Sequence, residues 1–449
     1  MKTRSNTKAH KPDANMDRLR TVVRRLEQKQ KDKVIQNEDF RGIMTPVEQF
    51  LRRHPRVCYG GTAINALLPK RDQFYDFTKE LPDYDFYSTR AIEDVKQLAR
   101  VYHRKGYVEV EAKAGVHHGT YKLFVNFVPV ADITQMDPRV FRKVKRHAIE
   151  RDGILYAPPA LLQMGMYLEL SRPMGDVSRW EKVYQRLRLL NKAYPIRGTT
   201  CTTTTQPSFR TRIGRQTVPT WESQLFEAIR KLKCVFFGTT VIDQIERETK
   251  LERPVFRQFE LLCKNHESCA RRLCEKLSAY GCTYVSFPAQ DELLPPRCEI
   301  RRNRRTIATV YEPMACHAYV RVKLGQTMIQ VATIETMMSL FLAFLFTKCK
   351  SSCSHRILCL CEYLMRVRAK HPASGRGVTR VFAEDCYGKQ KTLTDMRAEK
   401  TAKYRELRGK RERSKEFESW FLKYNPYEVK MEGRFQRKGK GKGKQKVTK

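Results

Sequence analysis

The chain has 449 residues, with 88 Lys and Arg against 48 Asp and Glu and a formal net charge of +40 at pH 7. That length excludes one small domain, and 41% hydrophobic with 10% aromatic residues is enough to bury real cores, so disorder of the whole chain is excluded too. The excess base therefore lies on a folded surface and points to a polyanionic partner, because Lys and Arg that neutralise phosphates release condensed counterions; an anionic membrane is the weaker alternative.

Residues 1–40 are rich in Lys, Arg, Asn and Gln, with an amphipathic repeat at Leu19, Val22, Val23 and Leu26, and read as a basic helical extension. A helix is expected to start at a Thr45 cap with Pro46 at its first position and to stop before His54-Pro55. Arg56 to Tyr59 reads as a short strand leading into a glycine turn. Strands at Leu81 to Tyr87, Tyr107 to Glu111 and Tyr121 to Ile133 alternate with helices at Ile92 to Lys105, Ala160 to Glu169 and Arg179 to Leu190, which makes residues 41–195 an α+β domain with a mixed sheet. The run Gly198 to Pro207 is small, polar and closed by proline, so residues 196–215 read as a linker.

A second α+β domain is placed at residues 216–429. Its opening, a helical pattern from Trp221 to Leu232 followed by Cys234 to Ile242, repeats the order of helix, short apolar strand and glycine turn seen at Val57 to Asn65, with Gly238 laid on Gly61 and Phe237 on Gly60. An internal duplication follows, and with no Asp-x-Asp after it the second copy is expected to have lost the chemistry. Residues 430–449, which include the alternating run Gly439 to Lys444, read as a disordered polycation. The two ends account for +7 (residues 1–36) and +8 (residues 430–449), which leaves +25 for the middle. Fourteen cysteines lie between Cys58 and Cys386, and the opening Met1-Lys2-Thr3-Arg4 has no apolar signal core, so reduced thiols are expected rather than a disulfide framework. The apolar stretch Met328 to Phe346 is broken by Gln330, Thr333, Glu335, Thr336 and Ser339; it reads as a buried helix, and no signal peptide or transmembrane segment is expected.

Three features of the first domain carry chemistry. Gly60-Gly61-Thr62 sits between a strand and a helix start, where residues without Cβ let a phosphate reach the backbone N–H groups, although many such pairs are ordinary turns. In Asp83-Tyr84-Asp85-Phe86-Tyr87, period-two geometry turns both carboxylates to one face of a strand; they call for a counter-charge, either a hard divalent cation or facing arginines at a solvated strand end. Asp132 ends the run Lys122 to Ala131, as a solubilising terminus or as a third ligand, and Pro129 places that strand at an edge or at a bulge.

Taken together, the glycine turn, the Asp-x-Asp strand and the later Asp resemble the nucleotidyltransferase superfamily that includes DNA polymerase β. The separation of 22 residues from Gly61 to Asp83 requires Pro69 to Asp76 to loop out between them. With Gly60 to Asn65, Asp72 to Asp76, Leu81 to Ser88, Val110 to Lys122, Val130 to Thr134, Tyr167 to Pro173 and Gly175 to Lys182, the chain looks like the catalytic poly(A) polymerases of large nucleocytoplasmic DNA viruses, well from Cys58 to Lys192 and thinly thereafter. The resemblance implies a nucleotidyltransferase fold followed by a second, degenerate copy. It implies addition of AMP from ATP to RNA 3′ ends, with Asp83, Asp85 and Asp132 as catalytic ligands of two Mg²⁺ or Mn²⁺ ions and Gly60, Gly61 and Thr62 on the triphosphate. It implies RNA and ATP as partners, no membrane, either a homodimer or a separate processivity subunit, and a place in the virus particle or the host cytoplasm. The same triad would serve uridylyl or CCA addition, and a non-catalytic RNA-binding scaffold is the alternative of another class.

Four other groups have plain readings. His117-His118 before Gly119 reads as a hydrogen-bonded turn; Cys349, Cys353, His355, Cys359 and Cys361 lack the paired spacing of a zinc knuckle. Cys263, Cys269, Cys274 and Cys282 read as buried thiols of a helical stretch. Arg301 to Arg305 reads as an RNA track or a solvated turn.

Overall fold

A computed structural model describes residues 18–19, 21–23, 25–26, 38–76, 82–199, 201, 220–238, 241–242, 245–246, 249, 259–290, 293–324, 327–347, 351–371, 377–409 and 414–427. The basic tail and most of the linker lie outside these residues, as does much of the N-terminal extension, whose Leu19, Val22, Val23 and Leu26 are exposed helical positions. Among the described residues, these helices frame the sheets: α1 (Glu38–Arg53), α2 (Gly60–Leu67), α3 (Ala91–Arg104), α4 (Pro138–Arg146), α5 (Pro159–Leu170), α6 (Trp180–Ala193), α7 (Thr220–Lys231), α8 (His266–Lys276), α9 (Ile334–Phe346), α10 (Ser351–Lys370), α11 (Leu393–Leu407) and α12 (Lys415–Phe421).

Two mixed sheets give the expected α+β class. The first contains β1 (Val57–Tyr59), β2 (Tyr84–Ser88), β3 (Val110–Ala114), β4 (Thr120–Val125), β5 (Val128–Gln135), β6 (Ile149–Arg151) and β7 (Ile154–Tyr156), in the order β3-β4-β5-β2-β1-β7-β6. The second contains β8 (Val235–Gly238), β9 (Phe259–Leu262), β10 (Thr283–Phe287), β11 (Arg297–Arg302), β12 (Arg305–Tyr311), β13 (His317–Leu324) and β14 (Thr327–Ala332), in the order β10-β11-β12-β9-β8-β14-β13. Adding seven to each strand number of the first sheet reproduces the second, with the same parallel or antiparallel sense at every junction. The duplication read from one short motif thus extends over seven strands. Its register differs by one residue: Gly60 and Gly238 both sit at positive φ, +74° and +83°, so Gly238 matches Gly60 rather than Gly61.

Several elements differ from expectation for local physical reasons. Helix α1 begins at Glu38 and runs through Thr45-Pro46. Proline clashes with the carbonyl four residues back, which here belongs to Gly42, and the buried face of Ile43, Met44, Val47, Phe50 and Leu51 outweighs the lost hydrogen bond. The long strand over Tyr121 to Ile133 is two, β4 and β5, reversed at Asn126-Phe127, both at positive φ as a tight hairpin requires. Strand β5 lies inside the sheet, with Pro129 beside a register shift, so the bulge holds and the edge does not; Asp132 consequently sits mid-strand. Met328 to Phe346 is strand β14 followed by α9, capped by the Thr333 side chain. Cys269 and Cys274 lie in α8, but Cys263 and Cys282 lie outside it.

Reduced thiols throughout are also corrected. Cys201 pairs with Cys359, and Cys316 with Cys386, across 158 and 70 residues of sequence, because the fold brings their Cα atoms to 5.5 and 5.2 Å. The first bridge takes Cys359 out of the zinc-type set, whose Cys349 lies outside the described residues.

The two halves share one hydrophobic core. Apolar α5 packs on apolar α9, Ala318 N–H donates to Ser171 O at 2.7 Å, and Tyr167 Oη reaches Met365 Sδ at 2.9 Å. No helix among the described residues is long and apolar enough to cross a membrane. The segment after α10 returns to the first half: β16 (Lys423–Tyr424) pairs with the edge strand β3, Ala114 N–H donates to Leu422 O at 2.9 Å, and Lys400 Nζ donates to Gly115 O at 2.9 Å. Residues 414–427 thus complete the first sheet, whereas the sequence assigned them to the second domain. On the other edge of the repeat, β15 (Cys386–Tyr387) pairs with β13.

Beneath the first sheet, Arg56 donates from Nη2 to Asp94 Oδ1 at 2.9 Å and also from Nε to Oδ2, while Ser88 Oγ donates to the same carboxylate. Asp94 is fully buried and Arg56 nearly so, and the three residues tie α3 to the ends of β1 and β2. Removing one member of such a pair strands the other's charge. Asp94→Ala is expected to lose about 3–5 kcal/mol of unfolding free energy in a urea titration.

Candidate active site

Register alone assembles the site. Tyr59 on β1 pairs with Asp85 on β2, Asp85 with Asp132 on β5, and Asp132 with Lys122 on β4, so one row crosses four strands on one face. Asp83 precedes β2 and shares the face of Asp85, while Tyr84 and Phe86 point into the core, as period two demands. Sequence reading therefore found the three carboxylates the fold brings together, although the basis for choosing Asp132 was a strand terminus that does not exist.

The glycine turn lies against this row. A Cβ on Gly60 would stand 2.2 Å from Asp85 Oδ2, and φ is +74°, so no side chain fits there. A Cβ on Gly61 would stand 2.7 Å from Tyr75 Oη and 2.9 Å from Arg186 Nη1. Thr62 is buried and its hydroxyl donates to Asp83 O at 2.7 Å; the side chain binds the main chain of the carboxylate segment rather than facing outward.

The electrostatics are those of like charges held together. Burial, then the neighbouring Asp83 and Asp132, push the Asp85 carboxyl up to about 8, opposed by Lys122 and Arg179. The Asp83 carboxyl is raised by burial and by Asp132, and lowered by Lys122. Lys122 Nζ pairs with Asp132 Oδ2. The three carboxylates do not all close to within 4.8 Å of one another. A divalent cation suits this donor set: hard oxygen ligands, repulsion that raises the proton affinity of Asp83 and Asp85, and an ammonium already standing in as partial counter-charge. Asp83, Asp85 and Asp132 could hold it.

Sequence reading missed the cations around the turn. Residues 70–76 do not loop out. Asn65 Oδ1 accepts from Phe74 N and Tyr75 N at 2.8 and 2.9 Å and folds the insertion over α2. Arg186 of α6 lies 4.4 Å from the Phe74 ring centroid and donates to Tyr75 Oη at 2.8 Å, a clasp beside Gly61. Arg179 follows the Asp176 cap in the Gly175-Asp176-Val177-Ser178-Arg179 segment and acts on Asp85. Only Lys122 left a trace in sequence, as a cation on the same strand face as the acidic row; Arg186 left none, since its neighbour lies 111 residues away.

The corresponding row in the repeat reads Phe237, Glu260, Thr309 and Glu299, in place of Tyr59, Asp85, Asp132 and Lys122. Phe237 packs 5.5 Å from Tyr311 and 6.2 Å from Phe341, and Thr309 is fully buried, so aromatic core covers what is an open face in the first copy. Of the other groups, His117-His118 forms the expected turn, with Thr120 N–H donating to His117 O at 3.2 Å. Arg301 to Arg305 is a hairpin turned at Asn303-Arg304.

A glycine turn opening a helix over three converging carboxylates on a mixed sheet defines a nucleotidyltransferase-type fold. Over its whole length the chain superposes on the crystal structure of the Megavirus polyadenylate synthase, with a TM-score of 0.76, 20% identity and 95% of that chain covered. Residues 45–176 match the family whose model is described as poly(A) polymerase catalytic subunit. A protein of Acanthamoeba polyphaga mimivirus, named as a candidate poly(A) polymerase catalytic subunit, is 38% identical over 35% of this chain and 27% of its own length. One of African swine fever virus with the same designation is 29% identical over 41% of this chain and 38% of its own length. The matches thus take in well under half of these relatives, and the likeness read from the sequence holds over the first domain.

A carboxyl raised to about 8 in the folded state, against 3.8 in the unfolded chain, costs stability as pH rises between those values and nothing below them. In EDTA, Asp85→Asn is expected to melt above the parent at pH 8 and together with it near pH 4, the gap opening steadily in thermal scans between the two.

Proposed function

We propose that the chain is a template-independent polynucleotide adenylyltransferase that adds AMP from ATP to RNA 3′ ends with Mg²⁺ or Mn²⁺. The observation that carries this reading is the row of Asp85, Asp132 and Lys122, with Asp83 beside it, set against a glycine turn that admits no side chain, within the segment that matches the poly(A) polymerase family. Two divalent ions, when bound, lower the charge on both the attacking and the leaving oxygen of an in-line phosphoryl displacement.

The chain's own residues supply the rest. The main-chain N–H groups of Gly60, Gly61 and Thr62, at the positive end of α2, face the triphosphate. Arg186, held flat by Phe74 and Tyr75, meets its outer phosphates, and Arg179 adds positive charge on the Asp85 side. Asp83 and Asp85 hold the cations, and Asp132 orients the attacking 3′-hydroxyl once Lys122 releases it. Transfer is assigned to the first domain, since the repeat has Thr309 at the position of Asp132. The charge of +25 carried by residues 37–429 gives the growing polyanion a surface to follow. The relatives' designation as catalytic subunits supports a separate processivity subunit, with a homodimer as the other arrangement, and the virus particle or the infected cell's cytoplasm as the place of action.

An RNA primer incubated with each triphosphate in turn is expected to lengthen with ATP. Extension only with UTP, or with CTP and ATP together, would replace adenylyl by uridylyl or CCA addition, and salt-sensitive RNA binding without any extension would make the protein a scaffold. Asp83→Ala and Asp85→Ala are expected to slow extension at least about a hundredfold, and extension at the parent rate would sink the mechanism. Arg186→Ala is expected to raise KM for ATP by about tenfold, the loss of one charge-assisted contact. RNA affinity is expected to fall steeply between 50 and 200 mM salt, as the salt concentration raised to a negative power set by the number of phosphates contacted, and to survive truncation beyond Lys430.

A further inference from the structure

The second half holds a group of side chains that the adenylyl-transfer reading does not use. Cys234 ends the turn after α7, Cys263 follows β9, and Cys269 lies on α8, and the three are buried. The antiparallel register Val235↔Leu262 sets Cys234 and Cys263 side by side at the end of the strand pair opposite the Gly238 turn. The first turn of α8 then brings Cys269 over both. All three Sγ atoms lie within 4.8 Å of one another, and Cys234 Sγ and Cys269 Sγ are 3.5 Å apart without being bonded.

That spacing is what a tetrahedral thiophilic ion asks for. A Zn–S distance of about 2.3 Å places neighbouring sulfurs of a tetrahedron about 3.8 Å apart, so an ion fits among these three with shifts of at most about an ångström. The surroundings suit thiolates as well. The Tyr387 hydroxyl hydrogen-bonds the Cys263 sulfur, and is itself fixed by Lys264 N–H at 3.2 Å. Lys264 Nζ stands 5.5 Å from the Tyr387 ring centroid. Tyr387 in turn is anchored by its neighbour Cys386, which is bridged to Cys316.

We propose that Cys234, Cys263 and Cys269 form a structural site for a thiophilic divalent ion, Zn²⁺ in the first instance, that pins α8 to β8 and β9. Loading exchanges three thiol protons, released to solvent, for three metal–sulfur bonds, with no change of oxidation state. The three sulfurs are buried, the fourth position of a tetrahedron is left to a small exogenous ligand, and the site lies in the half to which the adenylyl-transfer reading assigns no transfer, so its occupancy bears on the rigidity of that half rather than on the reaction.

Co²⁺ is the probe, because its thiolate complexes give a sulfur-to-metal charge-transfer absorption. The full chain, stripped of metal under mild reduction that leaves both disulfides closed, is expected to take up one equivalent of Co²⁺ with that absorption, to lose it to one equivalent of Zn²⁺, and to melt higher with Zn²⁺ than without. A chain with Cys349→Ser and Cys353→Ser is expected to behave alike, while Cys269→Ser loses the absorption and the thermal gain. Should Cys269→Ser fail to fold, Cys263→Ser carries the same readout. X-ray absorption at the zinc edge is expected to show three sulfur neighbours. No charge-transfer band in the unmutated chain, an undiminished band in the cysteine variant, a band lost with Cys349 and Cys353, or a Cys234–Cys269 disulfide in the peptide map would each overturn the assignment.

Discussion

Everything at the first site follows from one close approach: the Asp85 carboxylate lies where a side chain on residue 60 would have to be. Glycine there is a matter of volume before it is one of conformation, since a Cβ would come within 2.2 Å of Oδ2, and the positive φ of the turn adds a second reason. That contact fixes the height of the turn above the sheet. It thereby sets the start of α2, the place of Thr62 on the Asp83 carbonyl, and the reach of the folded insertion through Asn65. The cost is the concentration of negative charge that drives the Asp85 carboxyl toward neutrality, partly offset by Lys122 and Arg179.

The parts of this arrangement legible in sequence were those whose cause is local. Period two showed Asp83 and Asp85 on one face, and the buried Tyr84 and Phe86 bear it out. The glycine pair marked a strand-to-helix turn, and most helices of the first half begin and end within a few residues of their signals. The parts that were not legible depend on distant partners. Nothing near Pro46 shows that a glycine four residues back and a buried stripe will carry a helix through it. Little near Tyr121 distinguishes one long strand from a hairpin, because of the two residues that reverse it Asn126 takes positive φ readily but Phe127 does so against its ordinary preference. Arg186 and both disulfides are pairings across 70 residues or more, beyond the reach of any periodicity.

The repeat shows how a fold outlives its site. The strand senses and the seven-strand order are kept, so the second sheet still aligns four residues in the row that elsewhere carries charge. Two changes are enough to close it: a threonine in place of Asp132, and aromatic packing by Phe237 against Tyr311 and Phe341. The row keeps two carboxylates, Glu260 and Glu299, but the buried Thr309 stands between them and Glu299 pairs with Arg297 and Arg301, so three acids no longer converge there. Helices α5 and α9, packed face to face, then make one body of the two halves.

Strand β16 gives the molecule a history as well as a shape. The strand beside β3 is supplied by residues 423–424, more than three hundred positions after β3 itself. During synthesis the first sheet must therefore wait with an unpaired edge while the repeat is made and folded, a template for stray pairing throughout that interval. The long delay favours a folding order in which the repeat forms before the first half closes, and it makes residues 423–424 a late seal on the edge of the first sheet.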